Sequence, residues 1–285
     1  MSPLPAPIIS NFKTGKGETI AIYDWPLQTG QKSRGTALLV HGLGEHMGRY
    51  AHVAQHFNQW GFSVRGYDHF GHGLSTGLRG GLLSDNQLLD DLDFVIAQTR
   101  QNIPANEKLV LIGHSMGGGV VGRYVSLHSD KVNVLVMSSP ALDGGLNAIQ
   151  KLLLSTLPKI APNLRVGNGL DSRFISHDES VVASYNSDPL VHDRISARLG
   201  KFIVDSGVEV IATASGWKLP TLLMFAGQDK LVSPAGSRAF AANAPSCVEV
   251  QCFEHMYHEI FNEPDQAQVF TCMNTWLDRT LPEQS

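Results

Sequence analysis

Short runs of apolar residues alternate along the chain with segments in which apolar residues recur at every third or fourth position. The runs typical of strands cover residues 8–13, 19–25, 36–40, 62–68, 108–112, 132–137, 219–226 and 248–253. The segments typical of amphipathic helices begin near residues 50, 84, 116 and 264. This alternation predicts an α/β protein with a mostly parallel sheet and helices on both of its faces.

Particular residues sharpen these predictions. The first two strands are expected to form a hairpin around Gly15-Lys16-Gly17. Residues 109–112 show no polar alternation, as expected of a central strand buried on both faces. Ser84-Asp85-Asn86-Gln87 has the form of a capping box, which predicts the start of a helix. Pro264 is suited to the first turn of the closing helix.

The alternation stops between Pro140 and Trp217, where no strong strand signal occurs. We therefore expect a core built from residues 1–140 and 218–285, with a mainly helical cap inserted at residues 141–217. Within the cap, residues 146–160 predict an amphipathic or wholly apolar helix.

Composition and charge narrow the functional classes. A chain of 285 residues with 42% hydrophobic residues can bury one large core and an inserted subdomain. The net charge is −4 and the cationic residues are dispersed, so no nucleic-acid partner is predicted. Residues 1–7 lack the pattern of a secretory leader, and three cysteines, an odd number, are interpreted as free thiols. We expect a cytoplasmic location.

The strongest local motif is Gly113-His114-Ser115-Met116-Gly117, a G-x-S-x-G sequence that follows a buried strand and opens a helix. A serine in that context lies on a strained turn with its hydroxyl above the sheet edge, where it can act as a nucleophile. An incidental serine in a glycine-rich turn is an alternative, and so is an anion-binding helix N-terminus. The latter is disfavoured because the motif has neither G-x-G-x-x-G nor the Lys-Ser/Thr of a P-loop.

A serine nucleophile requires a general base and an acid that orients the base, in the chain order serine, acid, histidine. Asp229 follows an apolar strand, and His258 follows the last strand, so both are candidates. Asp229 could instead belong to an ordinary exposed turn. His255 competes with His258, which we prefer because His255 lies closer to the end of the strand.

Acyl transfer also needs hydrogen-bond donors for the oxyanion. His41-Gly42-Leu43-Gly44 follows a strand, so the backbone N–H of Leu43 is one predicted donor and that of Met116 is the other. A tight turn without a catalytic role is the alternative. His258-Glu259 lacks the second histidine of a zinc-binding His-Glu-x-x-His helix, because Asn262 stands there. We expect no metal and no organic cofactor.

Several longer motifs together resemble those of the monoacylglycerol lipases, within the lysophospholipase-like members of the α/β-hydrolase fold. They occur in the family's order over nearly the whole chain and are residues 41–46 (HGLGEH), 48–50 (GRY), 68–75 (DHFGHGLS), 113–118 (GHSMGG) and 185–190 (YNSDPL). The resemblance implies a triad of Ser115, Asp229 and His258 and oxyanion donors at Leu43 and Met116, and it favours His258 over His255.

The resemblance also implies a substrate and its binding residues. Glu45, Arg49, His114 and Tyr185 are expected near the polar pocket that receives the glycerol end of a lipid ester, although Glu45 and Arg49 could equally form a structural ion pair behind the oxyanion loop. The cap departs most from the family pattern. Its apolar helix is expected either to rest on a lipid surface, which would make the protein peripheral to membranes, or to cover the active site or a dimer interface.

Three hypotheses follow. The first is hydrolysis of monoacylglycerols to fatty acid and glycerol through an acyl-enzyme on Ser115. A lysophospholipase or short-chain carboxylesterase would use the same triad and differ in what the cap admits. A ligand-binding module that retains the fold without catalysis is a third hypothesis, and the presence of Ser115, Asp229 and His258 argues against it.

Overall fold

The computed structural model describes residues 6–14, 17–145 and 156–282. The strands in chain order are β1 (Ile8–Lys13), β2 (Thr19–Trp25), β3 (Gly35–Val40), β4 (Phe62–Tyr67), β5 (Leu109–His114), β6 (Val134–Ser138), β7 (Arg165–Gly167), β8 (Arg194–Ser196), β9 (Thr221–Ala226) and β10 (Val248–Phe253). The α-helices with defined bounds are α1 (Ala51–Gln59), α2 (Gln87–Asn102), α3 (Met116–Leu127), α4 (Glu179–Ser187), α5 (Ala197–Thr213), α6 (Pro234–Asn243) and α7 (Ala267–Thr280).

Among the described residues, eight strands form one sheet in the order β1-β2-β4-β3-β5-β6-β9-β10. Within this sheet, neighbouring strands among β4, β3, β5, β6, β9 and β10 are parallel. Strand β2, in contrast, is antiparallel to both of its neighbours, β1 and β4. Every residue of β3, β5 and β9 is buried, which explains why their sequences lack polar alternation. The predicted hairpin of β1 and β2 is confirmed, but residues 15 and 16 of its predicted turn lie outside the described residues.

Helices cover both faces of the sheet and bury a separate apolar core on each. One core combines the sheet with α2, α3 and α5 and includes Leu92, Val121 and Val210. The other combines it with α1 and α7 and includes Phe57 and Trp276. The predicted arrangement of a mostly parallel sheet between two helical layers is therefore confirmed.

The predicted starts of two helices are wrong. Helix α2 begins at Gln87 rather than at Ser84, and the side chain of Gln87 donates to Asp91 at 3.0 and 3.1 Å instead of reaching back to cap the helix. Helix α7 begins at Ala267, three residues after Pro264. Pro264 favours an extended residue before it, and Glu263 is indeed extended (φ −74°, ψ 153°).

The chain between β6 and β9 contributes, in its described residues, no strand to the main sheet. It contains helices α4 and α5 and a small antiparallel pair formed by β7 and β8. Each of these two strands has only three residues, and β7 is fully exposed, so neither carries a strong sequence signal. Residues 156–160 are helical, whereas residues 146–155 of the predicted cap helix lie outside the described part of the chain.

Candidate active site

Ser115 occupies a strained turn between β5 and α3. Its backbone has φ +56° and ψ −122°, a conformation that residues with a side chain rarely adopt. A Cβ on Gly113 would lie 2.3 Å from the carbonyl oxygen of Gly117, and a Cβ on Gly117 would lie 2.2 Å from that of Val40. The two glycines therefore allow strand, turn and helix to approach closely, as the G-x-S-x-G motif predicts.

Three polar side chains meet at the carboxyl edge of the sheet. The Oγ of Ser115 lies 2.8 Å from Nε2 of His258, and Nδ1 of His258 lies 2.6 Å from Oδ2 of Asp229. Asp229 also accepts hydrogen bonds from the backbone N–H groups of Leu231 and Val232, both at 2.9 Å. Because a carboxylate can only accept, Nδ1 of His258 carries the proton, which leaves Nε2 free to accept one from Ser115.

Electrostatics favour the charged forms of His258 and Asp229. Burial alone raises the pKa of Asp229, but the charge of His258 and the hydrogen bonds that Asp229 accepts outweigh burial and hold that pKa below its usual value. Burial alone lowers the pKa of His258, but Asp229, with smaller contributions from Glu259 and Glu45, raises it above the usual value. An imidazolium at His258 is thus stabilised by its surroundings.

The structure brings His258, and not His255, to Ser115. His258 is buried, with 5% of its surface exposed, and it forms the hydrogen bonds to both Ser115 and Asp229. His255 is exposed and takes part in neither of these two hydrogen bonds.

The loop after β3 faces the same serine. A Cβ on Gly42 would lie 3.0 Å from Cβ of Ser115, so this loop borders the hydroxyl directly. The backbone N–H of Gly42 donates to Oε1 of Glu45 at 2.7 Å and is therefore not available to a substrate. Leu43 follows in the loop, and Met116 is the first residue of α3, where backbone N–H groups have no partner within the helix.

A buried ion-pair cluster lies behind this loop. Nη1 of Arg49 lies 2.6 Å from Glu45 and 2.7 Å from Glu259, and Nη2 donates to Glu259 at 2.8 Å. The hydroxyl of Tyr50 donates to Glu45 at 2.7 Å. Burial alone would lower the pKa of Arg49, but the two carboxylates raise it well above its usual value, so the guanidinium stays charged. Two of the predicted substrate-binding residues, Glu45 and Arg49, thus form the alternative ion pair considered from sequence.

The other two predicted substrate-binding residues flank this cluster. The guanidinium carbon of Arg49 lies 4.8 Å from the ring centre of Tyr185, which belongs to α4. The ring of His114 lies 4.8 Å from that of His258, and its Nδ1 lies 3.0 Å from Oγ of Ser138. Burial, with a smaller effect of His258, lowers the pKa of His114 to about 4, so this imidazole is neutral at pH 7.

Sequence reasoning missed the part played by Glu259. The sequence marks Glu259 only as half of a possible zinc-binding pair, whereas in the structure it binds Arg49, which lies 210 positions away along the chain. Within the described part of the chain, no group of three or more histidine, cysteine, aspartate or glutamate residues is arranged to hold a metal ion.

A cavity of about 330 Å³ adjoins the cluster beneath the segment between β6 and β9. Tyr185 and Asp188 contribute polar groups to its lining, whereas Leu170, Val191 and Leu231 contribute apolar ones. A larger cavity of about 540 Å³ lies between α2, α3 and α5, and its lining includes neither the triad residues nor the residues of the ion-pair cluster.

Known proteins resemble this chain in sequence and in structure. The family described as "Serine aminopeptidase, S33" matches residues 31–265. A protein of Mycolicibacterium smegmatis named "Monoacylglycerol lipase" is 34% identical over 268 residues, which cover 92% of this chain and 94% of that protein. "Phospholipase YtpA" of Bacillus subtilis is 30% identical over 251 residues, which cover 86% of this chain and 95% of that protein.

Among solved structures, the crystal structure of Paleococcus ferrophilus monoacylglycerol lipase superimposes with a TM-score of 0.83 at 34% identity. The match covers 92% of this chain and 99% of that one. This agreement over almost the whole length confirms the predicted fold class.

Proposed function

Because the chain belongs to the serine aminopeptidase S33 family of α/β-hydrolases, we propose that it hydrolyses monoacylglycerols to fatty acid and glycerol through an acyl-enzyme on Ser115. The observation that carries this proposal is the hydrogen-bonded chain of Ser115, His258 and Asp229, with distances of 2.8 and 2.6 Å. A non-catalytic module would have no need to keep a strained serine in contact with a histidine that a carboxylate orients.

The first half of the reaction acylates Ser115. Nε2 of His258 removes the hydroxyl proton as Oγ attacks the ester carbonyl, and Asp229 stabilises the imidazolium that forms. The N–H groups of Leu43 and Met116 donate to the oxyanion of the tetrahedral intermediate. Glycerol leaves when His258 returns the proton to its oxygen, which leaves the fatty acid esterified to Ser115.

Water completes the reaction by the same route. His258 removes a proton from water as it attacks the acyl-enzyme, the same donors hold the second oxyanion, and Ser115 recovers its proton as the fatty acid departs. None of these steps uses a metal or an organic cofactor.

The substrate assignment draws on the relatives and on the polar groups beside the triad. The relatives from Mycolicibacterium smegmatis and Paleococcus ferrophilus both carry the name monoacylglycerol lipase, at 34% identity. We assign the glycerol end to the polar region of Tyr185 and His114. Glu45 and Arg49 border that region and hold the oxyanion loop through their ion pair.

The cap, residues 141–217, is proposed to select the acyl chain. It is inserted between β6 and β9 and supplies most of the lining of the cavity of about 330 Å³ next to Tyr185. The lining is mixed, and we assign the acyl chain to its four apolar residues, Leu170, Ile175, Val191 and Leu231.

Phospholipid or lysophospholipid hydrolysis is the second candidate. It is favoured by the Bacillus subtilis relative, which is named a phospholipase and is 30% identical. The same triad could catalyse this reaction, because the two substrates differ only in the alcohol that is released when the acyl group is transferred to Ser115.

One substrate series separates the candidates. We would measure kcat/KM for monoacylglycerols of graded chain length, diacylglycerol, lysophospholipid and short p-nitrophenyl esters, with Ser115→Ala as the control. We expect a preference for monoacylglycerols and a loss of roughly 10⁶-fold in Ser115→Ala. Preference for lysophospholipid would favour the second candidate, and turnover of short activated esters alone would reject the glyceride assignment. If no ester reacts and a fluorophosphonate fails to label Ser115, the protein is a binding module.

We further propose a cytoplasmic protein that contacts membrane surfaces through its cap. Among the described residues, no helix is both long enough and apolar enough to span a bilayer. The cap exposes the apolar side chains of Ile160 (83% exposed), Leu164, Val166 and Leu170, with Lys159 and Arg165 exposed nearby in sequence. Exposed apolar residues beside cations suit an anionic lipid surface.

Vesicle binding tests this contact. Ile160→Ser is expected to reduce co-sedimentation with anionic phospholipid vesicles several-fold, because it removes apolar surface that lipid would cover. Ile8→Ser, at a position of β1 that is 61% exposed, is the matched control. Equal binding of the two variants and the wild type would reject contact through this face.

A further inference from the structure

One segment of the cap is hydrogen-bonded along the loop that carries His258. We call residues 174–177 the cap anchor and residues 257–263 the base loop. The carbonyl oxygen of Phe174 accepts from the N–H of His258 at 3.5 Å, and that of Ile175 accepts from the N–H of Glu259 at 2.8 Å. Oγ of Ser176 donates to the carbonyl oxygen of Asn262 at 2.8 Å. The cap anchor therefore contacts the base loop at His258 and on its C-terminal side.

The carboxylate of Glu263 joins the two segments. Its Oε1 accepts from the backbone N–H of His177 at 3.0 Å and from that of Tyr257 at 3.3 Å, and its Oε2 lies 2.8 Å from Nδ1 of the His177 ring. The ring of His177 stacks on that of Tyr257 at 3.6 Å between centroids. Glu263 thus ties both ends of the base loop to each other and to the cap anchor.

Glu263 is 3% exposed, and its removal would take away the acceptor that the N–H groups of His177 and Tyr257 share. The base loop would then lose its bond to the cap anchor through Glu263 and its closure between Tyr257 and Glu263, so it could shift. His258 lies next to Tyr257, one of the tied residues, and its ring must keep distances of 2.8 Å to Ser115 and 2.6 Å to Asp229. A displacement of about 1 Å at a reacting group costs about 100-fold in rate.

We propose that Glu263 is a positioning residue for His258, and that docking of the cap anchor on the base loop is required for the base to be in place. The proposal rests on the triad of the proposed function. It makes the cap part of the machinery that positions the base as well as a cover over the substrate. Undocking of the cap anchor would therefore slow turnover even of an ester too small to contact the cap.

Labelling of Ser115 by a small fluorophosphonate tests the positioning of His258 directly. That reaction needs His258 as the base but does not need the site that binds the acyl chain of a substrate. The second-order rate constant would be measured across pH for Glu263→Ala, Glu263→Gln and His177→Ala, together with the kcat and KM of a short p-nitrophenyl ester. Glu254→Gln is the matched control, since Glu254 lies just before the base loop and its side chain is 60% exposed. Circular dichroism would establish that each variant is folded.

We expect Glu263→Ala to lower the labelling rate and kcat by about tenfold to 100-fold while KM changes little. The midpoint of its pH profile should move to lower pH, because contact with Asp229 is what raises the pKa of His258. Glu263→Gln should recover part of the loss, since its amide oxygen can still accept from the backbone. His177→Ala, whose side chain is 39% exposed in the wild type, should show a smaller loss in the same direction even if Glu263→Ala fails to fold.

Folded Glu263 and His177 variants that label at the wild-type rate with an unchanged pH profile would overturn the proposal. A wild-type protein whose Ser115 is not labelled would contradict the proposed function itself, and the positioning role would fall with it. A normal rate in the wild type and in Glu254→Gln, with a slow and shifted profile in Glu263→Ala, supports both.

Discussion

The nucleophile turn depends on the absence of single methyl groups. Gly117 faces the end of β3, where a Cβ would lie 2.2 Å from the carbonyl oxygen of Val40 and 2.5 Å from that of His41. Both contacts are with backbone, which cannot rotate away as a side chain can. The same backbone leads into the loop of Leu43, so stability and the geometry of the proposed oxyanion donors depend on the same close approach.

Gly117→Ala should therefore lower both stability and activity. We expect a loss of about 1–3 kcal/mol or more in the free energy of unfolding from overpacking, together with a reduced kcat, measured by urea denaturation and ester hydrolysis. Gly119→Ala, on the same helix, is the control, because its Cβ would meet Ala141 only at 3.4 Å. Equal free energies of unfolding for the two variants would show that β3 and α3 can move apart without loss of stability.

The triad also predicts a pH dependence. Activity should fall as pH decreases through the raised pKa of His258, because a protonated imidazole cannot take the proton of Ser115. Asp229→Asn removes the charge that raises this pKa, so the acid limb of the kcat profile should move to lower pH, while the plateau drops by roughly 10⁴-fold. An unchanged acid limb in Asp229→Asn would mean that another group controls it. Asp278→Asn, at an exposed carboxylate, is the control.

At the level of single residues, the sequence was informative where a motif ties chemistry to a local turn. Ser115 could be named because its glycines and flanking elements lie next to it in the chain. Glu259 and Glu263 could not, because their partners Arg49 and His177 lie 210 and 86 positions away. A buried carboxylate of this kind has the local sequence of an exposed loop until the fold supplies its partners.

At the scale of elements, prediction was best for the central strands and weakest at helix starts. An uninterrupted apolar run such as that of β5 has no stable place other than between two helical layers. A helix start, in contrast, is decided by competing polar contacts. Asp85 of the predicted capping box pairs with Arg198 at 3.0 Å, and the side chain of Gln87 is engaged by Asp91.

Buried histidines join the loops that follow β3 and β4. The side chains of His41, His69 and His72 have no exposed surface, and their rings lie 4.5–6.0 Å apart between centroids. Burial lowers the pKa of all three, that of His41 to about 3. His192 of the cap packs against His72 at 4.7 Å, so the group connects core and cap.

As the pH is lowered, the free energy of unfolding should therefore begin to fall at a higher pH than protonation of the carboxylates alone would cause. Below the ordinary histidine pKa of about 6.5, these histidines bind protons in the unfolded protein but stay neutral in the folded protein. Each of the three then costs about 1.4 kcal/mol per pH unit until pH reaches its folded pKa. Asp68 and His258, whose pKa values are raised, act in the opposite direction, but the three histidines outnumber them. A free energy of unfolding from urea titrations that stays constant between about pH 6.5 and 5 would show that the cluster accepts protons in the folded state.

At the scale of the whole molecule, the cap is the part that pattern analysis describes least. Its strands β7 and β8 pair only through three residues each, its helix α5 packs in the core with α2 and α3, and its segment between α4 and β8 contacts the loop after β3. The backbone N–H of His192, for example, donates to the carbonyl oxygen of Gly44 at 2.9 Å. The sequence predicts that an insertion exists and that it is mainly helical, but not how it meets the two loops that flank Ser115.

Because the proposed cap joins β6 to β9, the proposed catalytic groups come from two stretches of chain that meet through a buried parallel strand pair. Ser115 and His258 are 143 positions apart. If the peptide bond after the exposed Gly169 were absent, one fragment would keep Ser115 and the loop of Leu43, and the other would keep Asp229 and His258. We therefore expect the two fragments to be inactive when they are expressed separately. If the β6–β9 and β7–β8 pairs re-form on co-expression, hydrolysis of a short p-nitrophenyl ester should return.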